Sequence, residues 1–470
     1  MQMNKSKIPS SFRDPSGFLF FDNGKLFRQV NKYYQGNYEL LMSSGLYEKL
    51  VGDGLLVRHE EGEDERGEGA HEEKRAVCLR YKIISPEYIP FISYPYEWCF
   101  SELKDAALTT LQIQKTALEH GMSLKDASAY NIQFAGGKPV LIDTLSFEKY
   151  VEGKPWVAYK QFCQHFLAPL ALMKYRDLRM NQLLKTFIDG IPLDLASKLL
   201  PKRTHFKFSL LTHIHMHAKS QEKYSDKVAG VEPKISKFQM LALIDNLESF
   251  IGGLALNKTK TEWGNYYNDT NYSGEALADK KRVIGDFVDK SGAGKIWDIG
   301  ANTGFFSRIA AGKGISTISF DIDPLAVEKN YLEVREKHEE NILPLILDAT
   351  NPSPAIGWEN EERESLIGRG PVGLVMALAL IHHLAISNNT PLLKIASFFA
   401  KICENLIIEF VPKSDSNTQR LLRTREDIFP DYDEANFEKN FAEFFDIIEK
   451  KQVSGSERTI YLMKKKSGKI

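Results

Sequence analysis

The sequence is poor in cysteine, and no two cysteines have metal-binding spacing. Its 470 residues contain four cysteines, at positions 78, 99, 163 and 403. A disulfide framework is not expected in so long a chain with so few thiols, and the C-x-x-C spacing of a cysteine zinc site is missing. We therefore expect buried thiols in a reducing, cytoplasmic compartment, and no metal bound by cysteine.

Long apolar runs and a surplus of one charge are also missing. No stretch approaches the ~20 apolar residues of a membrane helix, and residues 1–17 lack the apolar core of a secretory signal. The formal net charge is −1, whereas bulk binding to nucleic acid needs a basic surplus. These absences predict a soluble protein with neither a membrane nor a nucleic acid as partner, and they leave its oligomeric state open.

The organisation of the chain can be predicted from composition. Residues 58–75 (RHEEGEDERGEGAHEEKR) are acidic and have nothing to bury, so we expect a disordered insertion between two strands, Leu55–Val57 and Ala76–Tyr81. A polar stretch with Gly230 and Pro233 follows a helical region and predicts a linker. The expected division is a first domain over 1–220, a linking segment over 221–280 and a second domain over 281–470.

The second domain alternates strand and helix patterns. The expected strands are Lys295–Ile299, Ser316–Phe320, Pro344–Leu347, Val372–Ala377, Asn405–Phe410 and a closing hairpin of Phe445–Lys450 with Thr459–Lys464. Five parallel strands joined by crossover helices and closed by a hairpin predict an α/β fold with a doubly wound, Rossmann-like sheet of seven strands. Such sheets bind ligands beyond the carboxyl ends of their strands.

The strongest local signal is a glycine loop after the first of these strands. Residues 296–306 read IWDIGANTGFF, a strand followed by D-x-G-x-x-x-G and a helix. Gly300 allows a sharp turn, and Gly304 allows the backbone to approach a ligand closely. Asp298 suits a cationic ligand and would repel a pyrophosphate. The spacing also differs from the G-x-G-x-x-G of dinucleotide sites.

Carboxylates follow the next two strands at matching places. Asp321 and Asp323 follow the second strand, where a carboxylate can accept both hydroxyls of a ribose. Asp348 and Ala349 follow the third strand, where a carboxylate can accept an adenine amino group. Three ordered elements of this kind favour a nucleoside ligand that carries a positive charge.

Together these motifs resemble the class I S-adenosylmethionine-dependent methyltransferase family over about residues 281–466. The resemblance implies S-adenosylmethionine as cofactor, held at its methionine part by the Asp298–Gly304 loop with Gly300 and Asn302. It also implies that Asp321 binds the ribose, with Asp323 beside it, and that Asp348 and Ala349 bind the adenine.

Candidate catalytic groups follow the fourth and fifth strands. Many members of this family carry a His-His pair like His382 and His383, and a histidine can remove the proton of an oxygen or nitrogen acceptor. The alternative is that one imidazole forms a local hydrogen bond while the other shields the cofactor. Glu409 is a third candidate base, or else a structural carboxylate. The aromatic segment Trp263–Ser273 is either a lid whose rings attract the sulfonium or a surface turn.

The first domain resembles the protein-kinase-like fold over about residues 18–175. The residues that carry this likeness are Asp126, four residues, Asn131, a strand, a turn, a strand and Asp143. The resemblance implies that Asp126 accepts a hydroxyl proton and that Asn131 and Asp143 hold magnesium on ATP. However, Leu124 replaces the usual histidine, no glycine-rich loop is present, and only Lys25 and Lys82 are weak candidates for the phosphate-pairing lysine. We therefore expect an α+β kinase-like domain that is catalytically silent or binds another ligand.

Alternating histidines at 213, 215 and 217 are a possible zinc site. On a strand, His213, His215 and His217 would share one face. On a helix they would spread around the axis, and the flanking residues allow a helix. The function we expect is therefore methyl transfer from S-adenosylmethionine to a small molecule or a protein side chain. The alternatives are an ATP-dependent phosphotransferase and a non-catalytic nucleotide-sensing module.

Overall fold

The computed structural model describes residues 5–62, 79–217, 234–256, 274–423 and 426–468. The chain forms two compact units. Unit 1 comprises residues 1–257 and 356–363, and unit 2 comprises residues 258–355 and 364–470. Three parts of the predicted organisation lie outside the described residues. They are residues 63–75 of the acidic insertion, residues 221–233 of the linking segment, and its residues 257–273, which include the aromatic segment Trp263–Ser273.

Unit 1 contains a five-stranded antiparallel sheet in the order β1-β2-β3-β5-β4. Its strands are β1 Lys5–Lys7, β2 Gly17–Asp22, β3 Lys25–Asn31, β4 His59–Gly62 and β5 Arg80–Pro86. The predicted strand Leu55–Val57 was wrong, because β4 begins at His59. Residues His59–Gly62 therefore form a strand inside the stretch 58–75 that was predicted to be disordered. The N–H of Val57 donates to the carbonyl of Leu141, whose own N–H donates to the carbonyl of Leu55. A run as short as Leu55–Val57 does not reveal with which part of the chain it will pair.

Two short ladders follow in unit 1. Strand β6 (Met122–Leu124) pairs with β9 (Phe147–Lys149), and β7 (Ile132–Ala135) pairs with β8 (Lys138–Leu141). The second ladder confirms the strand-turn-strand pattern expected between Asn131 and Asp143. It fixes these two residues at the same end of one hairpin.

The longer helices of unit 1 have between seven and 20 residues. They are α1 Gln35–Ser43, α2 Leu46–Gly52, α3 Phe100–Glu119, α4 Ala168–Tyr175, α5 Leu193–Leu199 and α6 Lys237–Gly252. Helix α6 begins at a capping box in which Ser236 and Gln239 satisfy each other's backbone N–H groups. It contacts α3, where Lys115 pairs with Glu248. The structure therefore assigns α6 to unit 1, although the sequence placed it in the linking segment.

Unit 2 is built on a seven-stranded sheet in the order β12-β11-β10-β13-β14-β16-β15. The strands are β10 Lys295–Ile299, β11 Ser316–Asp321, β12 Ile342–Ile346, β13 Val372–Ala377, β14 Cys403–Phe410, β15 Phe445–Gln452 and β16 Thr459–Lys465. Strands β10 to β14 are parallel, while β16 runs antiparallel to both β14 and β15. The predicted doubly wound, Rossmann-like sheet of seven strands is thereby confirmed.

Helices cover this sheet and connect its strands. They are α7 Gly274–Ser291, α8 Ser307–Ala311, α9 Pro324–Lys337, α10 Leu392–Ile402, α11 Ser416–Leu422 and α12 Glu434–Phe441. Helix α9 starts sharply because Asp323 caps it and Pro324 occupies its first position. The core between α7 and the sheet includes Phe287, Ile296, Leu374 and Ile407. Among the described residues, we find no helix with the length and apolar character needed to cross a bilayer.

Candidate cofactor site

The three predicted carboxylates lie at the ends of three adjacent parallel strands. Asp298 belongs to β10, Asp321 ends β11, and Asp348 follows β12 by two residues. In the ladder, Ile299 is level with Phe320 and Asp321 is level with Ile346. Because the strands are parallel, their carboxyl ends meet at one edge of the sheet, which is where ligands of such sheets bind.

The loop between β10 and α8 adopts a conformation that favours glycine. Gly300 and Gly304 have φ angles of +83° and +75°, and Asn302 also lies in the left-handed region. A Cβ added to Gly304 would lie 2.5 Å from Nδ2 of Asn330. The sequence explained Gly304 by the approach of a ligand, whereas the structure shows that its backbone also fits tightly against a side chain of α9.

Replacing Gly304 by alanine is expected to lower the free energy of unfolding by about 2–4 kcal/mol. The left-handed backbone costs an alanine about 1–2 kcal/mol, and overlap with Asn330 adds a comparable amount. Gly314→Ala is the matched control, since Gly314 has a φ of +78° but nothing within 4 Å of an added Cβ. Urea unfolding measures both variants. If both variants lost the same free energy of unfolding, the close contact with Asn330 would make no contribution to the cost at Gly304.

Asp298 lies beneath the loop in a buried position. Its Oδ2 accepts a hydrogen bond of 2.6 Å from the hydroxyl of Ser307, which also contacts Ser319. Burial raises the pKa of Asp298 to about 7, and nearby Asp321 adds to the shift. The side chain therefore titrates near neutral pH, and a cation beside it would favour its charged form.

The raised pKa of Asp298 predicts a stability that falls as pH rises. The carboxyl has a pKa near 3.9 in unfolded chains, so the folded protein favours its neutral form. This contribution is fully present below about pH 4 and is lost as pH rises through about 7. It amounts to about 2–3 kcal/mol between about pH 5 and about pH 8.

Urea unfolding of the ligand-free protein at these two pH values measures the effect. Asp298→Asn keeps an acceptor for Ser307 and is expected to remove this part of the pH dependence. If Asp298→Asn lost as much free energy of unfolding as the wild type between the two pH values, the pH dependence would belong to other groups.

Asp321 connects the second strand to the glycine loop. One of its carboxylate oxygens accepts from the backbone N–H of Asn302 at 2.7 Å, and the other accepts from the N–H of Asp323 at 2.8 Å. Burial raises the pKa of Asp321 to about 6. Asp323 instead accepts from the N–H of Leu325 and caps α9. The sequence predicted both Asp321 and Asp323 near the ribose. In the structure the first binds the glycine loop, whereas the second caps α9.

Asp348 is the most accessible of the three carboxylates. It is half-buried, and its Oδ1 accepts hydrogen bonds from the backbone N–H and the hydroxyl of Thr350. Ala349 beside it is also half-buried. The position of Asp348 after β12 remains compatible with contact to a planar base.

His382 and His383 follow β13 as neighbouring rings. Their ring centroids lie 4.2 Å apart. His382 is buried and His383 half-buried, and burial lowers the pKa of both, that of His383 to about 4. Both imidazoles are therefore neutral near pH 7, the form that can accept a proton.

Glu409 lies in a buried network of charges. Its carboxylate accepts a 2.6 Å hydrogen bond from Nζ of Lys280 on α7 and lies 3.8 Å from the guanidinium of Arg458. Arg458 also pairs with Asp415 at 2.8 Å. These contacts favour the structural alternative for Glu409 over the catalytic one. Lys280 and Arg458 were not identified from the sequence, because a single lysine on an amphipathic helix looks like a surface residue.

In unit 1, the kinase-like motif residues form a cluster with an unexpected arginine. Burial and nearby Asp143 raise the pKa of Asp126, which also hydrogen-bonds Asn131. The guanidinium of Arg28, on β3, bonds Asp143 at 2.7 Å. Lys25 and Lys82, the two candidates for the phosphate-pairing lysine, instead lie next to Glu60 and Glu61, respectively. Arg28 is thus the basic residue that pairs with Asp143. The sequence prediction had considered only lysines for this place.

The three alternating histidines do not converge. They fall on helical backbone, where His213 contacts Tyr159 and Asn246, and His215 contacts Ser197 and Thr204. Within the described ranges, no group of three or more histidine, cysteine or acidic side chains is arranged to hold a metal ion. The aromatic segment Trp263–Ser273 cannot be placed here, and its role as a lid stays a prediction.

Comparison with known proteins gives one extensive similarity. No family model matches the chain. The nodulation protein NoeA of Rhizobium meliloti (strain 1021) is 34% identical over 462 residues, which cover 97% of this chain and 95% of that protein. This relative therefore matches nearly the whole length of the chain, through both units.

Similarities to solved structures are more distant. The structure of WbdD is 18% identical, with 46% of each chain covered, so less than half of WbdD is matched, at a TM-score of 0.30. Magnesium protoporphyrin IX methyltransferase of Synechocystis PCC 6803 with bound SAH is 17% identical over 43% of this chain and 91% of that one, also at a TM-score of 0.30. N-methyltransferase NodS of Bradyrhizobium japonicum WM9 is 13% identical over 41% and 98%, again at 0.30. Scores this low establish neither a shared fold nor a shared activity.

Proposed function

This chain belongs to the family of the nodulation protein NoeA, and we propose that its unit 2 is an S-adenosylmethionine-dependent methyltransferase. The observation that carries the proposal is the placement of Asp298, Asp321 and Asp348 at the ends of three adjacent parallel strands, next to the glycine loop. The acceptor is a small molecule or a protein side chain.

The residues of this edge fit the parts of the cofactor. S-adenosylmethionine supplies a methyl group on a sulfonium. An ionised carboxylate has about four acceptor sites, and the backbone N–H groups that Asp321 already binds, those of Asn302, Asp323 and Ile322, still leave an acceptor site for a ribose hydroxyl. The accessible carboxylate of Asp348 would accept from an adenine amino group. Asp298 would be held in its charged form by a cationic methionine part.

We propose His383 as the group that removes the acceptor's proton. Its lowered pKa keeps the imidazole neutral near pH 7, and it is less buried than His382. His382 lies against it and would fix its orientation. Glu409, held by Lys280, is assigned a structural role. This division gives each of the three candidate residues one task.

Isothermal calorimetry with the full chain tests the proposal directly. We expect heat from S-adenosylmethionine and from its demethylated product, S-adenosylhomocysteine. Transfer of a labelled methyl group to a library of small molecules and peptides then identifies the acceptor. The absence of heat from both compounds would contradict the proposal.

A second candidate function is supported by the cluster in unit 1. Asp126, Asn131 and Asp143 converge there, and Arg28 adds a cation suited to phosphates. This arrangement would allow an ATP-dependent phosphotransferase in which Asn131 and Asp143 hold magnesium. Thermal stabilisation by ATP and magnesium that Asp143→Asn abolishes, together with phosphate transfer, would favour this candidate. Binding of either nucleoside without turnover would instead indicate a sensing module.

A further inference from the structure

An exposed segment of unit 1 combines aromatic and basic side chains. Phe206, Phe238 and Phe208 are 91%, 81% and 72% exposed, which makes them the three most exposed large apolar side chains of the described residues. Scattered exposed apolar residues are common, but these three lie in two short stretches of unit 1. We call residues 202–208 the basic-aromatic segment.

The charged residues within this segment and its sequence neighbours have one sign. Lys202, Arg203 and Lys207 belong to it and are exposed. From residue 195 to residue 221 the sequence contains no aspartate or glutamate, although acidic and basic residues are nearly balanced over the whole chain. This exposed stretch of sequence is therefore cationic, in a protein whose formal net charge is −1.

The backbone holds the aromatic rings outward. Lys207 is extended, with φ −99° and ψ 108°, and it separates the helical turn that ends at Phe206 from the one that begins at Phe208. On either side of them the segment is fastened inward, because the hydroxyl of Thr204 contacts buried His215 and the hydroxyl of Ser209 bonds Asn246 of α6. The two phenylalanines are thus presented by a fixed scaffold.

A third exposed phenylalanine lies at the start of α6. Phe238 follows Lys237 directly, and exposed Lys234 precedes both. Helix α6 is the helix that Ser209 contacts through Asn246. The repeated pairing of lysine with exposed phenylalanine supports one use for both stretches.

We propose that the basic-aromatic segment docks unit 1 onto the surface of a membrane that contains anionic lipids. Phenylalanine rings enter the boundary between headgroups and acyl chains, while lysine and arginine attract anionic headgroups. The chain was predicted to have no membrane partner because it lacks a run long enough for a spanning helix. Contact with a membrane surface does not need such a helix. This inference goes beyond the proposed function and does not depend on it.

Two other occupants fit the observations less well. A double-stranded nucleic acid would be bound mainly through its phosphates, which gives no role to three exposed phenylalanines. A single strand could stack its bases on the rings, so binding of RNA is one of the outcomes that the experiment below distinguishes. A second copy of the chain would bring the same cationic segment to the contact, and like charges across an interface are unfavourable. An anionic lipid surface satisfies both the charge and the apolar rings.

Sedimentation of the full chain with lipid vesicles tests the inference. We expect binding to vesicles of phosphatidylglycerol and phosphatidylcholine, no binding to phosphatidylcholine alone, and weakening by salt. Phe206→Ala and Phe208→Ala are each expected to weaken binding about tenfold, and Lys202→Gln with Lys207→Gln is expected to weaken it as well. Tyr33→Ala, which removes another exposed aromatic residue next to a lysine of unit 1, serves as the matched control and is expected to bind like wild type.

Several results would overturn the inference. The first is a failure of the wild-type protein to bind anionic vesicles, and the second is wild-type binding by Phe206→Ala and Phe208→Ala. Binding of RNA that the same substitutions abolish would assign the segment to nucleic acid. A dimer in analytical ultracentrifugation that these substitutions dissociate would assign it to a second copy. Thermal unfolding of each variant at the wild-type temperature shows that any loss of binding does not come from a loss of folded protein.

Discussion

Asp321→Ala is expected to weaken binding of S-adenosylmethionine by at least about a hundredfold. Hydrogen bonds to a charged group contribute about 1.5–3 kcal/mol each, and the ribose would lose this acceptor. The change also removes the acceptor for the backbone N–H of Asn302, so the glycine loop loses its link to β11. Calorimetry with the full chain measures the affinity directly.

The control for this prediction is another acid of unit 2. Asp446 lies on β15, with an exposed side chain that pairs only loosely with Lys466, at 3.8 Å. Asp446→Ala removes one negative charge from the same unit and is expected to leave the affinity unchanged. Asp321→Asn keeps one acceptor oxygen and is expected to fall between wild type and Asp321→Ala. Wild-type affinity in Asp321→Ala would place the cofactor elsewhere.

Glu409→Ala is expected to lower the free energy of unfolding by about 3–5 kcal/mol, since it leaves a buried cation without its partner. Both Lys280 and Glu409 are almost fully buried. Burial already lowers the pKa of Lys280, and Glu409 opposes that shift. Without the carboxylate, the lysine would lose its proton or draw water into the core. Urea unfolding followed by circular dichroism measures the loss.

Two comparisons separate this effect from a general loss of charge. Glu449→Ala breaks an ion pair with Lys290 in which both side chains are partly exposed, and such pairs contribute about 0–1 kcal/mol. The double variant Lys280→Met with Glu409→Leu removes both charges and is expected to recover much of the lost stability. A double variant that folds and retains methyl transfer would confirm the structural role of Glu409. Its complete inactivity, with S-adenosylmethionine binding intact, would favour the catalytic alternative instead.

The parallel part of the sheet of unit 2 could be predicted closely because its strands are largely buried on both faces. Strands β10 and β13 begin and end at the predicted residues, and β12 begins two residues early. A short run of apolar residues between turn signals is typical of a parallel strand. The three carboxylates could be placed for the same reason, since each lies near the end of such a run or just after it.

Side-chain partners from distant parts of the chain could not be predicted. Arg28 meets Asp143 across 115 positions of sequence, and Lys280 meets Glu409 across 129. No local pattern distinguishes these cations from the many exposed ones. The same limit applies to residues 356–363, which follow β12 along the chain but belong to unit 1.

The sequence by itself determined the order of strands and helices in unit 2, the glycine loop and the residues at the strand ends. These features depend on the burial of neighbouring residues and on backbone angles that few residues adopt, so they are visible locally. Only the tertiary structure decided that Asp298 is buried with a pKa near neutrality, that Glu409 is held by Lys280, and that Arg28 joins the acidic cluster of unit 1. Charge and accessibility depend on the groups that folding brings close together, and those groups are far apart along the chain.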